Sequence, residues 1–269
     1  MITAATGRPE QGAAPSGGSA VRAAASVGAR LQALIFDVDG TLADTEAAHL
    51  AAFNQAFAQE GLDWHWDLPL YTRLLEVSGG KERMLHYWRQ VHPDVTDLGG
   101  GVHDTINRLH ELKTAHYERL VREGAVQLRP GVLKLIESAH ADGLRLAIAT
   151  TTSPVNIGAL LRAAIGPDWQ HFFTVIEDAS TAPRKKPDPM VYQQTLARLG
   201  LPAVACLAFE DSANGLAAAR AAGLATIVTP NGFTAHQDFS GALRRLPDLA
   251  GLTLAQLRAW HADAGGGKA

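Results

Sequence analysis

Two aspartates, Asp37 and Asp39, stand two residues apart at the end of the apolar run Leu34-Ile35-Phe36. On extended backbone, residues at that spacing project to the same side. Neighbouring carboxylates repel unless a cation lies between them or one keeps a proton. Gly40 follows, where the chain can turn tightly and bring backbone N–H groups close to a ligand. With Thr41 the run reads Asp-Val-Asp-Gly-Thr, suited to a Mg²⁺ and phosphate site with a carboxylate nucleophile. A polar strand-to-loop junction with a capping residue would read the same way, so the rest of the chain must decide.

Three later stretches supply what such a site lacks. Thr150-Thr151-Thr152-Ser153 ends an apolar run and opens a helical pattern, which makes it a phosphate cradle of hydroxyls and backbone N–H groups. Ser153 is also a natural helix cap, and Asn156 follows it as a candidate substrate contact. Lys185-Lys186-Pro187 is a basic loop. Lys186, next to the proline, is the candidate to neutralise nucleophile and phosphoryl oxygens, whereas Lys185 reads as a solvated loop lysine. Glu210-Asp211 ends another apolar run. Asp211 completes a hard-cation site with the Asp37 carboxylate and the Asp39 carbonyl, and Glu210 is a further candidate ligand. As a capping residue, Asp211 would carry no such role.

These stretches need a scaffold that brings strand ends together. From residue 128 onward, short apolar runs alternate with helical patterns: 144–149, 172–176, 204–209 and 225–228. That rhythm predicts an α/β fold, a doubly wound parallel sheet with helices on both faces. Ligands in such sheets bind outside the carboxyl ends of the strands, where every polar candidate falls. Residues 47–127 interrupt the alternation with helical segments over 47–60, 84–90 and 103–122, and read as an inserted helical cap. A glycine-rich break over 98–101 precedes the last of them. The expected organisation is an α/β core from 31–46 and 128–250, the cap between, and a C-terminal tail at 251–269.

Residues 1–30 are rich in Ala, Gly and Ser without hydrophobic period, which predicts a disordered extension. Their Arg-rich, acid-poor composition leaves an organelle transit peptide as an alternative to a cytoplasmic protein. The net charge of -3 argues against nucleic acid or anionic membrane as partner. No apolar run approaches the roughly 18 residues of a spanning helix. The single cysteine, Cys206, lies in an apolar run and reads as a small core residue.

The four stretches, in this order, resemble the motifs of the haloacid-dehalogenase-like phosphohydrolases, and the insert resembles that superfamily's cap. More narrowly, residues 37–54, the Gly79-Gly80-Lys81-Glu82-Arg83 run, 150–153 and 210–215 resemble the CbbY phosphatases of autotrophs. The resemblance departs at Met190, where the family has an aspartate after Lys-Pro-x-Pro. It implies a Rossmann-like core, a Mg²⁺ cofactor and an aspartyl-phosphate on Asp37, with Asp39 as acid and then base. CbbY relatives hydrolyse xylulose-1,5-bisphosphate, a misfire inhibitor of Rubisco, to xylulose 5-phosphate.

A bisphosphate needs a second anion site, and the insert offers candidates. The Gly79–Arg83 run combines backbone N–H groups with the cations Lys81 and Arg83, Glu82 between them. On the long helix, Ile106, Leu109, Tyr117 and Leu120 mark an apolar face that also carries Lys113. A lysine in such a stripe must reach a partner or snorkel, so Lys113 and His110 are assigned to the cleft. Glu46 and His49 share a helix face beside the first motif, Glu46 as acceptor for sugar hydroxyls. Trp64 and Trp66 are assigned to cap packing. A β-phosphoglucomutase-like phosphomutase remains the nearest alternative. A receiver-like phospho-acceptor is the more distant one. The expected partner is a small sugar phosphate, bound by a monomer.

Overall fold

The computed structural model describes residues 30–93 and 100–266. In chain order it contains β1 (Ala33–Phe36), α1 (Glu46–Gln59), α2 (Leu68–Leu74), α3 (Gly80–Val91), α4 (Gly100–Arg122) and α5 (Val132–Ala141). Then come β2 (Arg145–Ala149), α6 (Pro154–Ala164), β3 (Val175–Glu177), α7 (Met190–Leu199), β4 (Cys206–Glu210), α8 (Ala213–Ala221), β5 (Ala225–Val228), β6 (Arg244–Arg245) and α9 (Leu254–Gly266).

The strands form one parallel sheet ordered β3-β2-β1-β4-β5-β6. Strand alternation divides its two faces by size. Leu34, Phe36, Leu146, Ile148, Leu207 and Phe209 fill the core on one side, while Ala33, Ile35, Ala147, Ala149, Cys206 and Ala208 meet helices on the other. Large residues thus give one layer its volume, and small ones let the opposite helices approach closely. Phe36 and Phe209 stack across β1 and β4 with ring centroids 4.8 Å apart. That contact fixes the two strands that carry the acidic motifs side by side.

Between β1 and β2 the chain leaves the sheet for α1 to α4. The two crossing strands are tied by an Ala43–Leu128 antiparallel bridge and by Arg129 N–H donating to Leu42 O at 2.9 Å. The helical unit has its own apolar centre of Phe53, Phe57, Trp66, Tyr71, Leu74, Met84, Ile106 and Leu109. Trp66 is fully buried, and its backbone exchanges two 2.8 Å bonds with the Asn54 side chain. Its ring packs between Phe53 and Phe57. No described helix is long and apolar enough to cross a membrane.

The structure departs from the sequence reading at several places. The helix expected from residue 84 begins at Gly80, with Gly79 as its cap residue at φ +96°, so the Gly79–Arg83 run is a helix start rather than a free loop. The run at 172–176 splits into a 3-10 turn over Trp169–Phe172 and the strand β3. The expected C-terminal tail folds into α9, because Leu257 is fully buried against the larger core layer and Trp260 packs beside it. Gly100 and Gly101, read as a break, open α4. The remainder of that break and the predicted disorder of residues 1–29 lie outside the described residues.

Candidate active site

The carboxyl ends of β1, β2 and β4 open into a cleft of about 380 Å³, roofed by α1, α3 and α4. Every candidate named from the sequence lines it, from Asp37 and Asp39 through the Gly79–Arg83 run, His110 and Lys113 to Asp211. The topology explains the convergence. β1 and β4 are adjacent, so Asp37, one residue past β1, faces Glu210 and Asp211 at the end of β4. Ser153 caps α6, accepting from Asn156 N–H at 3.3 Å, which leaves Thr150 and Thr151 at the cleft. Ser212 caps α8 in the same way, accepting from Gly215 N–H at 3.2 Å. Asp211 is therefore released from the capping role that would have explained it otherwise.

Lys186 is the charge at the centre. Its Nζ donates to Asp37 Oδ1 at 2.7 Å, Glu210 Oε1 at 2.6 Å and the Ala149 carbonyl at 3.0 Å. Burial alone would lower its pKa, but Asp37 and Glu210 pull it well above the ordinary lysine range. A single ammonium does not balance three buried carboxylates. Burial raises Asp37 to about 7 against the pull of Lys186. Burial, then Asp37 and Glu210, lift Asp211 well above the usual range.

Oxygens of Asp37, Glu210 and Asp211 lie within 4.8 Å of one another. Glu210 Oε1 is occupied by Lys186 and by the Tyr192 hydroxyl. Its buried Oε2 has no hydrogen-bond partner among the described residues. An orphaned carboxylate oxygen in a group with excess negative charge fits a hard divalent cation. The Asp39 carboxylate is not part of this cluster and bonds His49 instead.

Asp39 turns instead toward the cap. Its Oδ1 accepts from His49 Nε2 at 3.0 Å, while His49 Nδ1 accepts from Lys113 Nζ at 2.8 Å. Burial, then the Lys113 charge, lower the His49 pKa and keep the imidazole neutral. A neutral ring that accepts at Nδ1 must donate at Nε2, so the tautomer is fixed. Burial would raise the Asp39 carboxyl, but His49 outweighs it and holds the group below the usual range. Asp37 and Asp39 are thus driven in opposite directions, the arrangement that lets paired carboxyls take different chemical roles.

On the cap side, burial lowers Lys113 to about 8, and the Phe53 and Tyr117 rings flank its ammonium at 5.1 and 5.2 Å. Burial, then Lys113 and Lys81, push His110 down to about 3. Lys81 is exposed and donates to Asn107 at 2.7 Å. Arg83 lines the cleft but is buried and has partners within the cap. Because α3 starts at Gly80, its guanidinium points inward, donating from Nε to Leu74 O at 3.1 Å and lying against the Phe53 and Tyr71 rings. Glu46 likewise has a partner, accepting from the Tyr71 hydroxyl at 2.6 Å. Lys185, read as a solvated lysine, is half-buried and lines the cleft.

Arg129, Tyr192 and Asn231 are the site-supporting residues that the sequence reading missed. Tyr192 was hidden in a helical apolar pattern, and its hydroxyl holds Glu210. Asn231 lies in a turn after β5 and donates to Asp211 Oδ2 at 2.8 Å. Arg129 shows no signal beyond a basic residue before Pro130-Gly131.

Comparison with known proteins agrees with this geometry. The family described as "haloacid dehalogenase-like hydrolase" matches residues 31–223. The plasmid-encoded protein CbbY of Cupriavidus necator is 56% identical over 247 residues, covering 86% of this chain and 97% of its own. CbbY of Rhodobacter capsulatus is 50% identical, covering 82% of this chain and 94% of its own. A crystal structure of a Rhodobacter sphaeroides CbbY mutant in complex with xylulose-1,5-bisphosphate superposes with a TM-score of 0.78 at 43% identity, covering 84% of this chain and 99% of that one. The matched span carries all four strand-end motifs and the cap between them, and on that ground the chain belongs to the haloacid dehalogenase-like hydrolases and, within them, to the CbbY family.

Proposed function

We propose that the chain is a Mg²⁺-dependent phosphatase that hydrolyses xylulose-1,5-bisphosphate to xylulose 5-phosphate and phosphate through a phosphorylated Asp37. One observation carries this reading: a buried carboxylate paired with Lys186 at 2.7 Å shares its cleft with cap cations able to hold a second phosphate. The bisphosphate bound to the related CbbY supports the substrate class.

Asp37 attacks phosphorus, and the bond from phosphorus to the sugar oxygen breaks as Asp39 donates a proton to that oxygen. In the second half, Asp39 takes a proton from water as it attacks phosphorus, and the bond to Asp37 breaks. Lys186 and the strand end that begins at Thr150, which lines the cleft with Thr151, Thr152 and Ser153, hold the phosphoryl oxygens throughout. Bound at Asp37, Asp211 and the Asp39 carbonyl, with Glu210 alongside, Mg²⁺ would neutralise charge on the nucleophile and the phosphoryl group. Asp39 must enter the first half carrying a proton, which the pull of His49 and Lys113 disfavours. Once that proton has passed to the sugar oxygen, the same pull favours the base form that the second half requires. Lys81 and Lys113 grip the distal phosphate.

The test is a panel of sugar mono- and bisphosphates, with phosphate release followed in Mg²⁺ and in chelator. Selective, Mg²⁺-dependent release from the bisphosphate supports the proposal. Isomerisation of a monophosphate without phosphate release would replace it with a phosphomutase.

A further inference from the structure

Arg129 is buried to 7% exposure, and its guanidinium binds no substrate-facing group. It gathers backbone carbonyls instead. Nη1 donates to Gly40 O and Thr229 O, and to Thr229 Oγ1 at 3.1 Å. Nη2 donates to Pro230 O at 3.2 Å and to Pro247 O at 3.0 Å. Its Nε faces the exposed Asp44 carboxylate at 3.3 Å. These carbonyls follow β1, β5 and β6, and β1 and β5 are not neighbours. The strand between them is β4, and Asp211 follows its last residue. Arg129 therefore draws the two flanking loops together across the end of the strand that carries a metal candidate.

Asn231 spans the same gap from the other direction. Its Nδ2 donates to Asp211 Oδ2 at 2.8 Å and approaches Gly40 O at 3.5 Å. Gly40 is the piece squeezed between them. It has φ +78°, and a Cβ there would collide with both the Asp211 carboxylate and the Asn231 amide. The position of Gly40 thus limits where the Asp211 side chain can go, and the Arg129 bond to the Gly40 carbonyl fixes that position.

We propose that Arg129 and Asn231 are positioning residues that preset Asp211 for a divalent ion, an inference that rests on the metal-dependent reading above. A guanidinium suits the task because its planar fork presents five donors and no acceptor, so it can bind several carbonyls from different loops at once. A lysine at 129 keeps the charge but presents a single ammonium and cannot span them. Groups that orient a metal ligand typically change metal affinity by 10- to 100-fold when removed.

The experiment is calorimetric titration of Mg²⁺ into the chelator-stripped full chain. Arg129→Lys and Asn231→Ala should each weaken Mg²⁺ binding by roughly tenfold or more. Asn231→Ala also removes the Phe233 N–H bond to Asn231 Oδ1 at 2.8 Å. Melting in chelator is therefore followed beside the titration, and the loss of Mg²⁺ affinity should appear at temperatures where both chains are fully folded. Arg145→Lys is the control. That arginine also holds a backbone carbonyl, Leu199 O at 2.6 Å, but from the amino end of β2, away from the site. Wild-type-like affinity in Asn231→Ala, or an equal loss in Arg145→Lys, would overturn the inference. If Arg129→Lys does not fold, Asn231→Ala decides alone. A wild-type chain that binds no Mg²⁺ would instead overturn the metal-dependent reading itself.

Discussion

Lys113 Nζ sits 2.8 Å from His49 Nδ1, joining α4 to α1 across 64 residues of chain. The contact links the two halves of the cleft, because His49 in turn donates to Asp39 beside the nucleophile. A buried ammonium with no carboxylate within bonding distance among the described residues is held at a cost, and burial lowers Lys113 to about 8. The Phe53 and Tyr117 faces offset part of that cost. On the proposed function, this cation meets an anion that enters with the substrate.

That depressed value sets a pH window. The ammonium is present below about 8 and is lost as pH rises through it, so kcat/KM for a bisphosphate should fall over that interval. Lys113→Met keeps the apolar stem and removes the charge. It should lower kcat/KM for the bisphosphate by roughly 30-fold, about 2 kcal/mol, and flatten the profile in the same window. A variant that retains the wild-type profile would assign the limb to another group.

Asp37→Asn should leave the fold intact and abolish turnover, with a loss on the order of 10³ or more. The substitution removes one of three crowded carboxylates, so no destabilisation is expected. Circular dichroism and thermal melting check the fold, and phosphate release checks the loss. Near-wild-type turnover would exclude Asp37 as nucleophile.

Lys81 stands at the exposed end of α3, where a charge contributes modestly. Lys81→Ala should raise KM for a bisphosphate roughly fivefold, about 1 kcal/mol, and leave turnover of p-nitrophenyl phosphate unchanged. An equal effect on both substrates would place Lys81 outside the distal-phosphate contact.

Chelator should abolish phosphate release, and added Mg²⁺ should restore it. Because an ion that binds only the folded chain stabilises it, Mg²⁺ at 100 times its Kd should add about 2.7 kcal/mol and raise the melting temperature. Activity that persists in chelator, with no shift in melting, would contradict the cation assignment.

The central strands were legible because each is buried on both faces and so reads as an uninterrupted apolar run, as at Leu34-Ile35-Phe36 and Cys206-Leu207-Ala208. Strand-end chemistry followed from that placement. β6 was not legible, since two arginines pair with β5 through backbone bonds that leave no hydrophobic trace. α9 escaped notice because few of its side chains are buried. Lys113 was found from the sequence because a charge in an apolar helical stripe violates a local rule. The inward contacts of Arg83 were not legible, because the start of α3, rather than its charge, sets its direction. Arg129 obeys every local rule, and the carbonyls its side chain binds lie 89 to 118 residues away, so only the folded chain exposes its role.

The most direct measurement is a single-turnover quench with xylulose-1,5-bisphosphate labelled at its 1-phosphate, the one lost in forming xylulose 5-phosphate, in Mg²⁺. The account predicts transient label on Asp37, then one equivalent of inorganic phosphate and one of xylulose 5-phosphate for each bisphosphate consumed. Phosphate release with no label ever reaching Asp37, or stable label without release, would contradict it.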